Sequence, residues 1–379
     1  APNATCDDFW RSWPAVNEKA IADGTVLVFD VFNSVGNLFV TFDTMIKFVR
    51  LFELGLVLKW TRFPGFNEAF NPGEINWRLE SRPFLQAAHI QERANVTGLH
   101  AMASRDFALV LSDSQVELMA FMLGLHAPST KALATLIKEE LPHSFKWFIG
   151  KVMRGPLRKN NTINVQPCAW NMLLSRSPSM IASLEQHLPW GMVSDASEPR
   201  RQPAEYVAWH IRTSDGETVK SYNEAVHIYV VQEPSSDVCP AYRAAMEEAL
   251  QLTRSCHSSL PYHAADELVY VSTNSKSMAE DCEAANHDIV MGHVDMGLTA
   301  RDAHTKHSRN PLQTALGAFL DFIFLLDATV IVRTGSSFSR TASNIKGLEC
   351  HRGIYDTLPK RVLYRCLPSD CYDDSSVPQ

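Results

Sequence analysis

The sequence lacks an excess of positive charge. It has 35 lysines and arginines against 42 aspartates and glutamates, and its formal net charge is -7 at pH 7. Proteins that bind nucleic acid usually carry a basic surface, because lysines and arginines neutralise the charge of the phosphates. We therefore expect no nucleic-acid partner.

Cysteines spaced for a zinc ion are also missing, although eight cysteines are present. They are dispersed and even in number, as in a disulfide framework, and up to four bridges are expected. The cysteines are Cys6, Cys168, Cys239, Cys256, Cys282, Cys350, Cys366 and Cys371. Glycosylation sequons begin at Asn3, Asn95 and Asn160. Both features indicate the secretory pathway, and we expect the Golgi lumen or secretion.

A long apolar run without charges is the third absence. The most apolar stretch, 315–332, is about long enough to cross a bilayer but contains Asp321 and Asp327, and each aspartate costs about 2.5 to 3.5 kcal/mol at mid-membrane. We predict a buried helix followed by a strand. The sequence starts at Ala1 without a visible signal peptide, so we expect a mature or truncated chain from which a type II membrane anchor was removed.

The length and composition predict two globular domains. The chain has 379 residues, of which 45% are hydrophobic, and domains usually have roughly 100 to 200 residues. A polar stretch with two prolines, 194–203, is typical of a linker. We place the domains at 1–203 and 204–379.

The first half opens with a strand, a turn and a helix. The strand is predicted at 26–30, the helix at 39–52 and a second strand at 55–60. Gly36 and Asn37 lie in the turn, where backbone amides and the asparagine side chain could bind an anion at the helix N-terminus. A tight turn without a ligand explains the same two residues. Further helices are expected at 84–94, 112–125, 129–140 and 178–188.

The second half alternates apolar runs with helical runs. This alternation predicts a mainly parallel sheet with crossover helices, and hence an α/β fold. Strands are expected at 206–212, 226–232, 267–272, 288–291 and 328–333, and helices at 240–256, 276–285 and 311–326.

The strand at 206–212 delivers polar residues into a loop. His210 and Arg212 end the strand, and Asp215 follows. Ligands of open α/β sheets bind beyond the carboxyl ends of such strands, and the planar guanidinium of an arginine suits a phosphate or a carboxylate. The alternative is a surface turn in which Arg212 pairs with Asp215.

A turn rich in hydroxyl groups follows the strand at 328–333. It contains Thr334, Gly335, Ser336, Ser337 and Ser339 and leads into a helix. An ordinary helix N-cap needs only one hydroxyl. The turn therefore predicts a phosphate site at a helix N-terminus.

Asp321 interrupts the apolar helix at 311–326. A buried carboxylate needs hydrogen-bonding partners. Two explanations remain open: the carboxylate accepts from a base such as guanine, or it pairs with an arginine nearby.

Taken in order, these segments resemble the GDP-fucose-dependent fucosyltransferases, namely the α1,6-fucosyltransferase, nodulation fucosyltransferase and plant xyloglucan fucosyltransferase groups. The likeness is strongest over 205–350. Residues 30–37 look like a degenerate form of the family's N-terminal loop, with Leu38 where an arginine is usual. The motifs are His210-x-Arg212-x-x-Asp215, Asn310-Pro-Leu with Asp321 later on the same helix, and Thr334-Gly-Ser336-Ser337-x-Ser339.

The resemblance implies a GT-B fold, in which two Rossmann-like domains face a cleft. Residues 1–203 would form the acceptor side, and 204–379 would bind the nucleotide sugar. The implied activity is metal-independent, inverting transfer of fucose from GDP-fucose to a hydroxyl of a glycan or glycoprotein. No cofactor is implied besides this donor substrate.

The resemblance also implies residue roles. Arg212 would bind the β-phosphate of the donor, and Ser336 and Ser337 would bind the same diphosphate. Asp321, with backbone near His210, would read guanine. Gly36, Asn37 and Phe338 complete the expected donor site.

The sequence departs from the α1,6 enzymes at the catalytic base. Gly216 and Lys220 stand where those enzymes have a lysine and a catalytic glutamate, so Glu217 and Asp215 are the alternative bases. A sister glycosyltransferase with another nucleotide sugar, and a catalytically silent glycan- or nucleotide-binding relative, stay open. His304 and His307 lack a third ligand, and no metal site is expected.

Overall fold

The structure is a computed structural model in which the chain forms two compact units, Ala1–Arg176 and Ser177–Gln379. The predicted linker at 194–203 falls outside the described residues, so the boundary at 203/204 stays a prediction. The structure describes residues 6–23, 26–30, 39, 42, 45–46, 49–50, 53–59, 65–78, 108–112, 165–187, 206–212, 235–256, 268–294, 310–355, 361–368 and 371–372.

The first unit contains a small parallel sheet. Strand β1 lies between β2 and β4 and pairs in parallel with both. The strand at 108–112 was not predicted from the sequence, which indicated only a helix from 112. In chain order the unit's elements are α1 (Asp8–Arg11), α2 (Trp13–Ala22), β1 (Val26–Asp30), β2 (Gly55–Lys59), α3 (Phe66–Ala69), β3 (Phe70–Pro72), β4 (Ala108–Ser112), α4 (Pro167–Leu173) and β5 (Leu174–Arg176).

The core of this unit is aromatic. The described residues between 39 and 50 are helical and buried, which confirms the helix predicted there. Phe42 and Trp77 both make edge-on ring contacts with Phe66, and Trp77 Nε1 donates to the Leu173 carbonyl at 2.7 Å. Ring pairs of this kind stabilise the core beyond the effect of the apolar area that the side chains bury.

The second unit contains a six-stranded sheet with the strand order β8-β7-β6-β9-β11-β10. Strands β8, β7, β6 and β9 pair in parallel, β11 pairs antiparallel with β9, and β10 pairs antiparallel with β11. This confirms the predicted mainly parallel sheet. Its elements are α5 (Pro178–His187), β6 (Val207–Ile211), α6 (Ser235–Cys256), β7 (Leu268–Thr273), α7 (Lys276–Ala285), β8 (Val290–Gly292), α8 (Pro311–Asp327), β9 (Val330–Arg333), α9 (Ser337–Lys346), β10 (Leu348–Tyr355) and β11 (Arg361–Pro368).

Where the structure describes a predicted helix or strand of this unit, its bounds lie close to the prediction. The predicted strand at 226–232 lies outside the described residues, as do the predicted helices at 84–94 and 129–140 and nearly all of the one at 112–125. The run at 315–332 is a helix followed by a strand, as predicted, and within the described parts of the chain no helix is long and apolar enough to span a membrane. Helix α6 differs, because it begins at Ser235 and contains Pro240 in its interior. Proline normally marks the first turn of a helix, which is why the sequence placed the start at 240.

The two faces of the sheet differ in character. Because side chains alternate along a strand, Trp209 and its neighbours two residues away point to one face, and His210 points to the other. The first face joins α6 and α7 in one apolar core. Helices α8 and α9 pack on the second face, where Tyr270 stacks on Phe324 with ring centroids 4.0 Å apart.

All eight cysteines are paired, as expected for a disulfide framework. Three bridges lie in the second unit, Cys239–Cys282, Cys256–Cys371 and Cys350–Cys366. The fourth, Cys6–Cys168, joins residues 162 positions apart in the first unit.

Candidate donor site at the strand ends

The order in which strands are added to the sheet reverses between β6 and β9. From β6 the chain proceeds to β7 and β8 on one side, and β9 lies on the other. Ligands of open α/β sheets bind at such a switch point, outside the carboxyl ends of the strands. Arg212 follows β6 and Thr334 follows β9, and the Thr334 amide donates to the His210 carbonyl at 3.3 Å. The structure therefore brings together two segments that the sequence analysis selected separately.

His210 lies at the centre of this region and is buried, with 5% of its surface exposed. It is in register with Ser272 of β7 and Arg333 of β9, and its ring lies 5.5 Å from the ring of Phe338. Burial, and then the charges of Arg212 and Arg333, lower the pKa of His210 to about 3. The imidazole is therefore neutral at pH 7, and its Nδ1 finds no hydrogen-bond partner among the described residues.

The His210 carbonyl is engaged within the fold. It accepts from the Tyr242 hydroxyl at 2.7 Å as well as from the Thr334 amide. A carbonyl oxygen has two lone pairs, and both are used here. Any contact from His210 to a nucleotide base would therefore come from atoms of His210 other than its carbonyl oxygen.

The turn after β9 retains hydroxyl groups that the helix does not use. Ser336 is the N-cap of α9, but its side chain makes no capping hydrogen bond. Thr334 is 2% exposed, and its Oγ1 has no partner within the described structure. Ser339 differs, because its hydroxyl donates to the Ser336 carbonyl at 3.5 Å. The Ser337 side chain lies outside what the structure describes.

An unpartnered buried hydroxyl is unusual in a folded protein. Most buried polar groups are hydrogen-bonded, and one left without a partner costs about 1 to 3 kcal/mol. Thr334 and His210 each carry such an atom, and their backbones are hydrogen-bonded to each other. A water molecule or a bound ligand can supply the missing partner at each atom.

Two arginines give the region positive charge. Arg212 is partly exposed at the end of β6. Arg333, which the sequence patterns did not identify, is buried and donates from Nη1 to the Thr334 carbonyl at 3.1 Å. Burial lowers the pKa of Arg333 to about 10, so it is charged at pH 7 and supports the turn. Its signal in the sequence is an arginine as the last residue of an apolar strand.

Asp321 lies on α8 and faces β7. The Tyr270 hydroxyl donates to its Oδ1 in a short hydrogen bond, and the Ser272 side chain donates to the same carboxylate. Burial raises the pKa of Asp321 to about 7, against the opposing effect of these two donors. The sequence suggested an arginine or a bound base as the partner, and the structure places a tyrosine and a serine there.

Several predicted residues are not among those described. Asp215 and Glu217, which follow Arg212, lie outside the described residues. Gly36 and Asn37 also lie outside them. His304 and His307 lie outside them as well. Within the parts of the chain that the structure describes, no group of three side chains could hold a metal ion. Asn310 is placed as the N-cap of α8, where its side chain accepts from the Gln313 amide.

The arrangement suits an anion. Arg212, the N-terminus of α9 and the hydroxyls of Thr334 and Ser336 adjoin at the ends of two neighbouring strands. Asp321 lies one strand away, bonded to Ser272 in the row that contains His210. A phosphate at the switch point and a hydrogen-bond donor group near Asp321 would match these charges.

Comparison with known proteins finds no matching family model and no matching curated protein. Solved structures are found at low similarity. A NodZ α1,6-fucosyltransferase soaked with GDP-fucose has a TM-score of 0.40 and 12% identity, covering 90% of this chain and 99% of that one. The Bradyrhizobium fucosyltransferase NodZ has 0.39 and 12%, covering 91% and 99%. A variant of Arabidopsis thaliana FUT1 in complex with GDP has 0.42 and 10%, covering 89% and 77%.

Proposed function

We propose that the second unit binds GDP-fucose and that the chain transfers fucose, with inversion, to a hydroxyl of a glycan or glycoprotein. The observation that carries the proposal is the hydrogen bond from the Thr334 amide to the His210 carbonyl, which places the strand end before Arg212 beside the turn at 334–339 at the switch point. The ordered motifs that resemble fucosyltransferases support GDP-fucose as the donor. The GT-B arrangement with a cleft is part of the proposal.

In this proposal Arg212 binds the β-phosphate with two parallel N–H donors. Ser336, Ser337 and the N-terminus of α9 bind the same diphosphate. As the bond between sugar and phosphate breaks, negative charge builds on the departing diphosphate. Donors already fixed in position stabilise that charge without reorganising. Because His210 is neutral, the positive charge at this point comes from the arginines.

Asp321 is proposed to read the base. Guanine presents a ring N–H and an exocyclic amine on one edge, and an ionised carboxylate accepts from both. Gly36, Asn37 and Phe338 are proposed to complete the donor site.

The acceptor hydroxyl must lose a proton when it attacks the sugar. We propose Glu217 or Asp215 as the general base, since both follow Arg212 closely in the sequence. This mechanism uses no metal ion and no cofactor besides the donor. Four disulfides fit a lumenal or secreted protein, and we propose the Golgi lumen.

A nucleotide panel tests the proposal. Thermal shifts and donor hydrolysis are measured with GDP, UDP and several GDP-sugars, with and without a chelator. We expect GDP to raise the melting temperature, GDP-fucose to be hydrolysed slowly, and the chelator to change neither result. A preference for UDP would indicate a sister enzyme, and binding without turnover a silent relative. Loss of activity with chelator, restored by one metal, would contradict the metal-independent mechanism.

A further inference from the structure

The Asp321 carboxylate is held by a tyrosine that is itself held on several sides. Tyr270 is buried and stacks on Phe324, which lies on the same helix as Asp321. The backbone N–H of Val294 donates to the Tyr270 oxygen, and the Tyr270 hydroxyl then donates to Asp321 Oδ1. A tyrosine hydroxyl has one donor and can accept as well. Because the Val294 contact orients it, its proton is directed at the carboxylate.

A second donor comes from the same strand. Ser272 lies two residues after Tyr270, on the same side of β7, and its side chain also donates to Asp321. The carboxylate therefore has contacts from two rigid strand positions, and its rotation about the side-chain bond is restricted. Ser272 is in register with His210, so the held carboxylate adjoins the donor site.

We propose that Tyr270 is a positioning residue, which together with Ser272 fixes the Asp321 carboxylate so that both donors of a guanine edge reach it at once. This inference rests on the proposed function. A carboxylate has about four lone-pair sites. Two are used by Tyr270 and Ser272, and two are left for the guanine ring N–H and the exocyclic amine. A freely rotating carboxylate would meet both donors together less often.

The hydrogen bonds also affect the protonation of Asp321. Burial raises its pKa to about 7, and the Tyr270 and Ser272 hydroxyls act in the opposite direction. A protonated carboxyl loses acceptor capacity, so affinity for GDP should be full above pH 7 and fall as the pH drops below it. Removing the Tyr270 hydroxyl raises the pKa further, and the fall should then begin at a higher pH.

Other titratable groups near α8, among the described residues, lie in different settings. His210 on β6 is neutral over this pH range. On α9, Arg340 is exposed and Lys346 donates to the Asp327 carbonyl at 2.9 Å. The Tyr206 hydroxyl donates to the Phe324 carbonyl at 2.6 Å, and His293 precedes Val294 in the loop after β8.

Tyr206 provides a matched control. It is also a buried tyrosine whose hydroxyl donates to α8, but to a backbone carbonyl three residues beyond Asp321. Tyr270→Phe and Tyr206→Phe each remove one hydroxyl from the same helix contact surface. Both can lower the melting temperature. Tyr270→Phe removes a donor to the carboxylate, whereas Tyr206→Phe removes a donor to a backbone carbonyl.

The test measures the dissociation constants of GDP and of inosine diphosphate by calorimetry between pH 6 and pH 8.5. Inosine diphosphate lacks the exocyclic amine, so the ratio of the two constants reports that one contact. A hydrogen bond to a charged acceptor corresponds to roughly tenfold in affinity, and we expect about this preference for GDP in the wild type. In Tyr270→Phe we expect GDP to bind roughly five- to tenfold more weakly and the preference to fall below about threefold. The pH midpoint should move upward, and Tyr206→Phe should retain the wild-type ratio and midpoint.

The failures are distinguishable. If the wild type binds GDP but Tyr270→Phe keeps its ratio and pH profile, the inference is wrong and the proposed function stands. If the wild type does not bind GDP at all, both are overturned. Should Tyr270→Phe fail to fold, Ser272→Ala removes the second donor, and an unchanged ratio in that variant overturns the inference equally.

Discussion

The two faces of the six-stranded sheet show how one strand can serve stability and ligand binding at once. Trp209 and His210 are adjacent in β6 and both are buried. Trp209 belongs to the apolar core formed with α6 and α7, whereas His210 lies against Phe338 at the strand ends. Because successive side chains point to opposite faces, a step of one residue separates the two roles.

The faces also differ in where their polar atoms lie. The face toward α8 and α9 contains the Nδ1 of His210 and borders the Oγ1 of Thr334, both without partners in the described structure. The apolar face also has two such atoms, Nε1 of Trp209 and Nε of Arg365. What distinguishes His210 and Thr334 is that their backbones are hydrogen-bonded to each other at the carboxyl ends of neighbouring strands, where ligands of open α/β sheets bind.

The largest effect is expected on the apolar face. Trp209→Ala should lower the free energy of unfolding by about 3 to 5 kcal/mol, because it removes a fully buried ring and leaves a cavity. Affinity for GDP in the folded protein should change little. Urea unfolding gives the first quantity and calorimetry below the melting transition gives the second. Loss of GDP binding without loss of stability would contradict the division between the faces.

The next largest effect is expected at the carboxyl end of β6, where Arg212 lies. Arg212→Ala should reduce turnover by about 10² to 10³, or roughly 2.7 to 4 kcal/mol, because a bidentate contact to the departing diphosphate is lost. Arg212→Lys should restore little, since an ammonium cannot reproduce the planar fork. Transfer rate, GDP affinity and melting temperature are compared for both variants. If Arg212 only forms a surface ion pair, the change would cost at most about 1 kcal/mol of stability and leave turnover unchanged.

Asp321→Asn should stabilise the protein at pH 8 by about 1 to 3 kcal/mol. The pKa of Asp321 is raised to about 7 in the folded state from 3.8. The folded protein therefore binds an extra proton between these values, and the ionised carboxylate destabilises the fold fully only above pH 7. The gain from asparagine should shrink as the pH falls from 7 toward 4. Urea unfolding at pH 8 and pH 5 checks this, and an equal change at both pH values would contradict it.

The smallest effect contrasts two buried threonines. Thr334→Val removes a hydroxyl without a partner and should raise the free energy of unfolding by about 1 kcal/mol while weakening GDP binding. Thr253 in α6 is the control, because its hydroxyl donates to the Ala249 carbonyl at 2.8 Å. Thr253→Val should lower stability by about 1 kcal/mol and leave GDP binding unchanged. Chemical unfolding and GDP titration of both variants give the signs, and equal signs for stability would contradict the contrast.

Local patterns were sufficient for elements whose neighbours in the sequence determine them. The strand at 207–211, the helix at 311–327 and the strand at 330–333 were predicted because apolar periodicity is a local property. Strands 348–355 and 361–368 were not predicted, since their antiparallel pairing depends on β9 and on each other. Each site motif could also be recognised from its own stretch of sequence. The alignment of Ser272, His210 and Arg333 on three neighbouring strands could not, because it depends on strand pairing.

The sequence by itself determined which side chains are available: an arginine after one strand, hydroxyls after another, a carboxylate in an apolar helix and eight cysteines. Tertiary structure alone decided what each one meets. Eight cysteines allow 105 sets of four pairs, and the fold selects one. Asp321 meets Tyr270, which is 51 residues away in the chain. Residue type and spacing are properties of the sequence. Contacts between distant residues form only when β6, β7 and β9 pair and the helices pack on them, because the register of the strands aligns the strand ends.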